Sequence, residues 1–228
     1  MNFCKKCILP DTRPGLVLDQ NQICNACANS VDKDNNIDWK KREKIFQKVV
    51  KNAKLKSKGY DCLIPVSGGK DSTWQVIKCL EYGLKPLCFS WRPPSRTKLG
   101  QKNLDNLISL GVDHIDYSIN PKTEKKFLLS ALKKYGAVAI PMHMAIFNIA
   151  PTLAMRFNIP LIIWGENSAF EYGSKDEFHN GFTMDEAWVR TFGVTHGTTC
   201  KDWIDKDLTE KDLIAYTPPN YKKMEEKG

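Results

Sequence analysis

The stretch 67–72 has the sequence SGGKDS, whose small, polar and cationic residues could bind an anion. Gly68 and Gly69 allow positive backbone φ angles and close approach of the chain to a ligand, since neither carries a Cβ. The two serines add hydroxyl donors and Lys70 adds a positive charge. Because the amides that open a helix are unpaired and lie at the positive end of its dipole, a helix beginning here would complete the site. The stretch therefore predicts a phosphate-binding loop.

The residues around this loop predict a strand before it and a helix after it. Residues 61–66 (DCLIPV) are mostly apolar and short enough for a buried strand, and from Thr73 to Leu80 apolar residues recur at helical spacing until Gly83. The glycine spacing excludes the Gly-x-x-x-x-Gly-Lys-[Ser/Thr] loop of many nucleoside triphosphatases. The loop instead resembles the Ser-Gly-Gly-x-Asp-Ser pyrophosphate loop (PP-loop) of the ATP pyrophosphatase superfamily. That resemblance implies an adenine nucleotide alpha hydrolase-like fold, which holds the β,γ-phosphates of ATP and transfers AMP to a carbonyl-type oxygen.

Two charged residues of the loop have chemistry suited to ATP. Asp71 is the best placed acidic group for Mg²⁺, which prefers one or two carboxylates together with phosphate oxygens. Lys70 would neutralise the charge that builds on departing pyrophosphate. The alternative is an ordinary glycine-rich turn between a strand and a helix.

Four cysteines near the N-terminus form two Cys-x-x-Cys pairs with sixteen residues between them. This spacing is typical of a zinc site, because each pair can direct two thiolates at one ion and two pairs complete a tetrahedron. A closed set of four ligands indicates a structural rather than a catalytic zinc. The alternatives are two disulfides, which the cytosol disfavours, or unrelated free thiols. The predicted zinc ligands are Cys4, Cys7, Cys24 and Cys27.

The net charge of the chain, +8, lies in one segment. Residues 40–58 contain nine Lys or Arg and one Glu, with apolar residues at helical spacing between them. We expect an amphipathic helix with a solvated basic face. Nucleic acid is an unfavoured partner, since no aromatic residues interleave with the charges. No apolar run is long enough to span a membrane, and cysteines occupy the place of a signal-peptide core, so we expect a cytoplasmic protein that does not bind membranes.

The remaining chain predicts an α/β fold with an open, mainly parallel sheet. Further strands are expected at residues 85–91, 114–119 and 161–164, with helices between them. Residues 140–157 are apolar nearly all round, which indicates a buried helix that is kinked or interrupted near Pro151. In such sheets the ligand binds beyond the carboxyl ends of the strands. We therefore expect the loop at 67–72 and the exits of the second and fourth strands to converge on one site.

A second resemblance covers nearly the whole chain. The four-cysteine N-terminus, the loop SGGKDS and residues 164–173 (WGENSAFEYG) together resemble the N-acetyl sugar amidotransferases of surface-polysaccharide and flagellin-glycan biosynthesis. The resemblance implies that ATP adenylates the oxygen of a sugar acetamido group, that pyrophosphate leaves, and that ammonia attacks to give an acetamidino sugar and AMP. It also implies a separate glutaminase partner that supplies the ammonia.

The resemblance and the loop chemistry together give the expected domains and site residues. Domains are expected at 1–38 (zinc knuckle and joint), 39–58 (basic helix) and 59–228 (ATP-binding domain). Family members continue well past Pro219, so we expect the C-terminal part of the family to be missing here. The expected catalytic residues are Lys70, Asp71 and Glu166. Expected contacts to ATP or pyrophosphate are Ser67, Gly68, Gly69, Lys70, Asp71, Ser72, Phe89, Ser90, Trp91 and Gly165. Expected contacts to the sugar are Glu166, Asn167, Glu171 and Tyr172.

Two other functions remain open at this stage. A tRNA-modifying thiolase of the same superfamily would suit the basic helix and the zinc knuckle. Such enzymes often need a pair of active-site cysteines, whereas outside the expected strands, helices and knuckle only Cys200 is present. A non-catalytic module joining a zinc knuckle to a degenerate nucleotide-binding domain is the other possibility, and the intact SGGKDS loop argues against it.

Overall fold

The computed structural model describes residues 1–13, 15–35, 37–165, 189–190 and 193–227. These residues belong to two compact units. One contains Met1–Phe46, and the other contains Gln47–Gly165 together with the described residues after 188. Within the described residues, no helix is both long and apolar enough to cross a membrane.

Helices and parallel strands alternate along the second unit, as the sequence predicted. The α-helices of both units, in chain order over the described residues, are α1 (Asn25–Asn35), α2 (Trp39–Lys56), α3 (Lys70–Glu81), α4 (Lys98–Ile108), α5 (Pro121–Tyr135), α6 (Ile140–Phe157) and α7 (Tyr221–Lys227). The strands are β1 (Cys62–Pro65), β2 (Pro86–Trp91) and β3 (Asp113–Tyr117). Short 3-10 helices occupy Cys200–Trp203 and Ile214–Tyr216.

The three strands form a parallel sheet in the order β1-β2-β3. The register pairs Leu63 with Leu87 between the first two strands, and Phe89 with Ile115 between the second and third. On its other side, β1 is bridged in parallel at Leu63 by Ile162. The chain therefore moves outward from β1 through β2 to β3 and then returns to the opposite side of β1. This reversal is a topological switch point, where open α/β sheets bind their ligands.

The predicted fourth strand, Leu161–Trp164, is shorter than expected. Only the bridge at Ile162 forms, fixed by hydrogen bonds from the Leu63 amide to the Leu161 carbonyl (2.8 Å) and from the Ile163 amide to the Leu63 carbonyl (2.9 Å). Pro65 of β1 lacks an N–H and so cannot donate the next bond of this ladder, which would go to the Ile163 carbonyl. The parallel direction of the segment nevertheless agrees with the prediction.

Helix α5 shows how local sequence sets a helix boundary. Asn120 accepts a hydrogen bond from the Lys122 amide through its side chain (3.0 Å), and Pro121 occupies the first turn, where its missing N–H is not needed. Gly136 ends the helix in the left-handed region, at φ 65°. Helix α6 is buried on most of its sides, as expected, and it is not interrupted at Pro151.

The main core lies between the sheet and the pair α5 and α6. Residues that alternate along the strands, such as Leu63, Leu87 and Phe89, pack there against Phe127 of α5 and against α6. The opposite face of β1 and β2 packs against α3. Helices therefore cover both faces of β1, and neighbouring chain segments pair with both of its edges. The carboxyl end of this strand is fixed in position as a result.

The N-terminal unit has its own small core of Cys4, Leu16, Cys24 and Cys27. Residues 28–38, the polar end of the expected zinc knuckle and joint at 1–38, lie largely within α1. Their polar sequence gave no apolar periodicity to predict this helix, which begins directly after Cys24. The described fold is thus the α/β fold with an open parallel sheet that the sequence predicted, with a four-cysteine cluster at the N-terminus.

Candidate phosphate-binding loop and four-cysteine site

The loop SGGKDS connects the carboxyl end of β1 to the first turn of α3, at the switch point of the sheet. Gly68 takes a positive φ of 78°, as its lack of a Cβ permits. Gly69 does not, contrary to expectation: it is the N-cap of α3 and is extended, with φ −76° and ψ 173°. No side chain caps the helix, so its first-turn amides are not used by a capping group.

Hydrogen bonds within the loop fix its shape. The Ser72 hydroxyl accepts from the Ser67 amide (3.3 Å) and donates to the Gly69 carbonyl (3.2 Å). The Ser67 hydroxyl in turn accepts from the Gly69 amide (3.3 Å). Ser72 is also buried, so its hydroxyl serves to hold the loop closed. Its expected contact with ATP or pyrophosphate stays a prediction.

Lys70 and Asp71 extend from the loop into solvent. Their side chains are 88% and 79% exposed, and Lys70 Nζ lies 2.6 Å from Asp71 Oδ1. An exposed ion pair of this kind contributes little to stability, so either group can turn toward a ligand at small cost. A carboxylate in the first turn of α3 also suits Mg²⁺ held against a phosphate, since the donor is a hard oxygen.

The exit of β2 lies directly beside the loop. The Val66 amide donates to the Phe89 carbonyl (2.7 Å), which brings Ser90 and Trp91 next to the beginning of SGGKDS. These residues were expected to lie near adenine, and they do lie at the same edge of the sheet as the loop.

A charged cluster after β2 was not anticipated from the sequence. Arg96 forms two hydrogen bonds to the Asp116 carboxylate (2.7 and 2.6 Å), and Arg92 lies 3.7 Å from the same group. Burial alone would raise the pKa of Asp116, but these arginines and the Ser90 hydroxyl outweigh it and the pKa is lowered. Ser90 also contacts His114 Nε2 (2.8 Å), and burial lowers the pKa of that imidazole. The sequence signal that could have indicated this cluster is the pair Arg92 and Arg96, which follows the predicted strand at 85–91.

The exit beside β1 is connected to α3. Gln75 Nε2 donates to the Trp164 carbonyl (2.7 Å), so Gly165 lies next to the helix that begins with the loop. Nothing in the sequence indicated this contact. The expected sugar-binding residues Glu166, Asn167, Glu171 and Tyr172 lie outside the described residues.

The four predicted zinc ligands come together. Their Sγ atoms all lie within 4.8 Å of one another, with Cys4 and Cys27 at 3.9 Å and Cys7 and Cys24 at 3.5 Å. Sulfur atoms about 2.3 Å from one tetrahedral ion would stand about 3.8 Å apart, so the cluster fits zinc. None of the eight cysteines of the chain forms a disulfide.

Backbone amides surround the thiols of this cluster. Cys4 Sγ accepts from the amides of Lys6 (3.4 Å) and Cys24 (3.2 Å). Burial would raise the pKa of the Cys4 thiol, but these amides and that of Cys7 lower it to about 6. Burial raises the pKa of Cys27 to about 12. A thiolate held by several N–H donors is the form that binds zinc.

No protein-family model and no curated protein sequence matches the chain. Among solved structures, the chain is similar to an NMN synthetase from Francisella tularensis, with 18% sequence identity and a TM-score of 0.43. The matched region covers 61% of this chain and 60% of that chain, so this chain spans about three fifths of the length of that structure.

Proposed function

We propose that this protein is an ATP-dependent, AMP-forming amidotransferase of the ATP pyrophosphatase superfamily, acting on the acetamido group of an N-acetylated sugar. The superfamily part rests on one observation above all. A loop of sequence SGGKDS lies at the topological switch point of a parallel sheet and opens an uncapped helix. The choice of an acetamido sugar rests on the sequence resemblance of residues 164–173 and of the four-cysteine N-terminus.

The chemistry of the proposed reaction balances without a further reactant. The acetamido oxygen attacks the α-phosphorus of ATP, the bond to pyrophosphate breaks, and an O-adenylated imidate forms. Ammonia adds to the imidate carbon, a proton is lost, and the C–O bond breaks to release AMP. The products are an acetamidino sugar, AMP and pyrophosphate. An amide carbonyl is a poor electrophile, and adenylation supplies the leaving group that it lacks.

Each loop element has a role in this proposal. The first-turn amides of α3 and the glycine backbone would hold the β,γ-phosphates. Lys70 would neutralise the departing pyrophosphate, and Asp71 would hold Mg²⁺, which supplies charge neutralisation on the phosphates. The backbone at Phe89–Trp91 would contact adenine. Zinc at the four cysteines would be structural, and ammonia would come from a separate glutaminase in the cytoplasm.

The tRNA thiolase alternative is less well supported. Outside the N-terminal cluster the chain has four cysteines, and all of them are buried: Cys62, Cys79, Cys88 and Cys200. Burial raises the pKa of Cys88 to about 12. A thiol that carries sulfur needs access to its substrate and a thiolate at neutral pH.

The experiment that tests the proposal follows one oxygen atom. The protein is incubated with ATP, Mg²⁺, ammonium and acetamido sugars labelled with ¹⁸O in the acetamido group, and AMP is analysed by mass spectrometry. The proposal expects AMP that carries one ¹⁸O, in an amount equal to the acetamidino sugar. Unlabelled AMP would indicate hydrolysis by water. ADP and phosphate would indicate γ-phosphoryl transfer, and the PP-loop interpretation would then be abandoned. Bulk tRNA with a sulfur donor serves as the competing substrate.

A further inference from the structure

Gln75 joins the helix of the phosphate loop to the chain segment on the far side of β1. It lies on α3, which begins at Lys70, and its Nε2 donates to the Trp164 carbonyl at 2.7 Å. The two residues are 89 positions apart in sequence. Since a helix rises about 1.5 Å per residue, Gln75 stands roughly 7–8 Å along the axis from Lys70. One rigid element therefore carries both the loop and this contact.

The hydrogen bond between Gln75 and Trp164 lies at the point where pairing with β1 ends. In the described structure, the ladder beside β1 ends with the bond from the Ile163 amide to the Leu63 carbonyl. One residue further along the chain, the Trp164 carbonyl is the one that Gln75 holds. The direction in which the chain leaves the sheet toward Glu166 is thus set by α3 rather than by a strand partner.

Gly165 is packed against the same amide. A Cβ at Gly165 would stand 3.2 Å from Gln75 Oε1, a distance that most side chains would not tolerate without movement. Gln75 Oε1 is buried and has no hydrogen-bond partner among the described residues. Among the described residues, the Gln75 amide therefore makes its one side-chain hydrogen bond through Nε2, to the Trp164 carbonyl.

We propose that Gln75 is a positioning residue that fixes the chain at Trp164–Gly165 against the phosphate loop. Residues 166 and 167 follow directly and are the ones proposed to contact the acceptor sugar, so this inference rests on the proposed function. Helix α3 then keeps Gly165, the last described residue before the proposed acceptor contacts, at a constant spacing from the loop proposed to hold ATP. Such spacing matters for an in-line attack on the α-phosphorus, where small misplacement costs rate.

The test uses two variants of Gln75 and one control on the same helix. Gln75→Met keeps the volume and removes the donor. Gln75→Glu keeps the shape, and its carboxyl can donate to the Trp164 carbonyl only when protonated. Lys78→Met removes an exposed ion pair with Glu81 and should change nothing. Circular dichroism establishes that each variant is folded.

Hydrogen exchange is measured on the peptide that covers residues 159–165, relative to wild type at each pH. The affinity for ATP is measured by calorimetry, and the acceptor KM and kcat are measured with the acetamido sugar. Gln75→Met should speed exchange and reduce kcat/KM for the acceptor by about 5- to 100-fold, with an unchanged ATP affinity. Gln75→Glu should behave like Gln75→Met at high pH and recover toward wild type as the pH falls.

Three results would overturn the inference: unchanged exchange in Gln75→Met, faster exchange with unchanged acceptor kinetics, or a Gln75→Glu variant that does not recover at low pH. If wild-type protein forms no AMP with any sugar, the proposed function fails on its own. Exchange and its pH dependence then still decide whether Gln75 holds Trp164–Gly165.

Discussion

Gly68 passes so close to Leu104 that a Cβ on the glycine would stand 2.8 Å from the Leu104 backbone nitrogen. The neighbouring backbone of Asn103 would be 3.2 Å away. The phosphate loop is therefore braced from outside by the backbone of α4, in addition to its own hydrogen bonds. A backbone neighbour cannot move aside as a flexible side chain can, so any side chain at position 68 would force the loop or α4 to shift.

Gly68→Ala should destabilise the protein and weaken ATP binding. Gly136 is the matched control, because it has a similar φ of 65° and nothing within 4 Å of an added Cβ. Gly136→Ala should cost about 1–2 kcal/mol of unfolding free energy, which is the price of alanine in the left-handed region. Gly68→Ala should cost a further 1–3 kcal/mol or so from overlap with α4. Urea unfolding measures both, and equal costs would show that α4 does not brace the loop.

The four-cysteine cluster should hold about one zinc per chain, because its four thiols complete a tetrahedron. Elemental analysis of purified protein measures the metal. Cys4→Ser should lose it and destabilise the N-terminal unit, while ATP binding by the other unit persists. Cys79→Ala is the control and should retain the full zinc content, since Cys79 lies in α3. A metal-free protein with four freely titrating N-terminal thiols would contradict this prediction.

Local signals in the sequence account for much of the fold. The stretch 67–72 predicted the strand-loop-helix because its glycines and the flanking apolar periodicity act over a few residues. The Asn120-Pro121 pair likewise marks the start of α5 through contacts within one turn. These signals predict local backbone geometry, because that geometry depends mainly on residues that are close in sequence.

Contacts between distant residues could not be predicted in this way. In the sequence, Gln75 is one polar residue among others on a predicted helix. Its hydrogen bond to the Trp164 carbonyl forms only because the fold brings the two residues together. Arg96 and Asp116 were two charges in separate elements, twenty residues apart, with no reason to be paired. Helix α1 was missed for a different reason, since it is set by the cysteine cluster and not by an apolar stripe.

Glu124 should make the stability of the protein depend on pH. Its side chain is buried on α5, and burial raises the pKa of the carboxyl even though the Trp91 indole lies nearby. The pKa of this carboxyl is higher in the folded protein than its unfolded value of about 4.3. Its contribution to the free energy of unfolding is therefore fully present below about pH 4.3, where the carboxyl is neutral in both states. That contribution is lost as the pH rises through the folded pKa, because a buried carboxyl must then ionise. Glu124→Gln should therefore become more stable than wild type as the pH rises above about 4.3.

Thermal unfolding across this pH range checks the effect of Glu124. Glu210→Gln, at an exposed position, is the control and should follow wild type at every pH. A Glu124→Gln variant that loses stability at high pH would mean that the charged carboxylate is needed by the fold.

The outer face of α2 should not form a tRNA-binding surface. Its lysines are exposed, and its one exposed aromatic residue, Trp39, is the first residue of the helix and precedes the basic run instead of lying between its charges. Without stacking, binding would be only the non-specific electrostatic kind, weaker than about 1 µM at physiological salt. Filter binding with bulk tRNA measures this. A tighter, strongly salt-dependent affinity that disappears when Lys44, Lys48 and Lys51 are changed to Glu would prove the prediction wrong.

Lys70 and Asp71 should be needed for turnover but not for folding. Both side chains are highly exposed and pair only with each other among the described residues, so Lys70→Ala and Asp71→Ala should unfold at nearly the wild-type urea concentration. Removing one preorganised charge contact to a reacting phosphate typically lowers kcat by about 10²–10³-fold. Lys122→Ala, an exposed lysine in the first turn of α5, is the control for general charge effects. AMP formation under saturating ATP measures the loss. If Asp71→Ala keeps its rate while excess Mg²⁺ is present, another group holds the metal; if it keeps its rate at every Mg²⁺ concentration, the carboxylate has no part in the reaction.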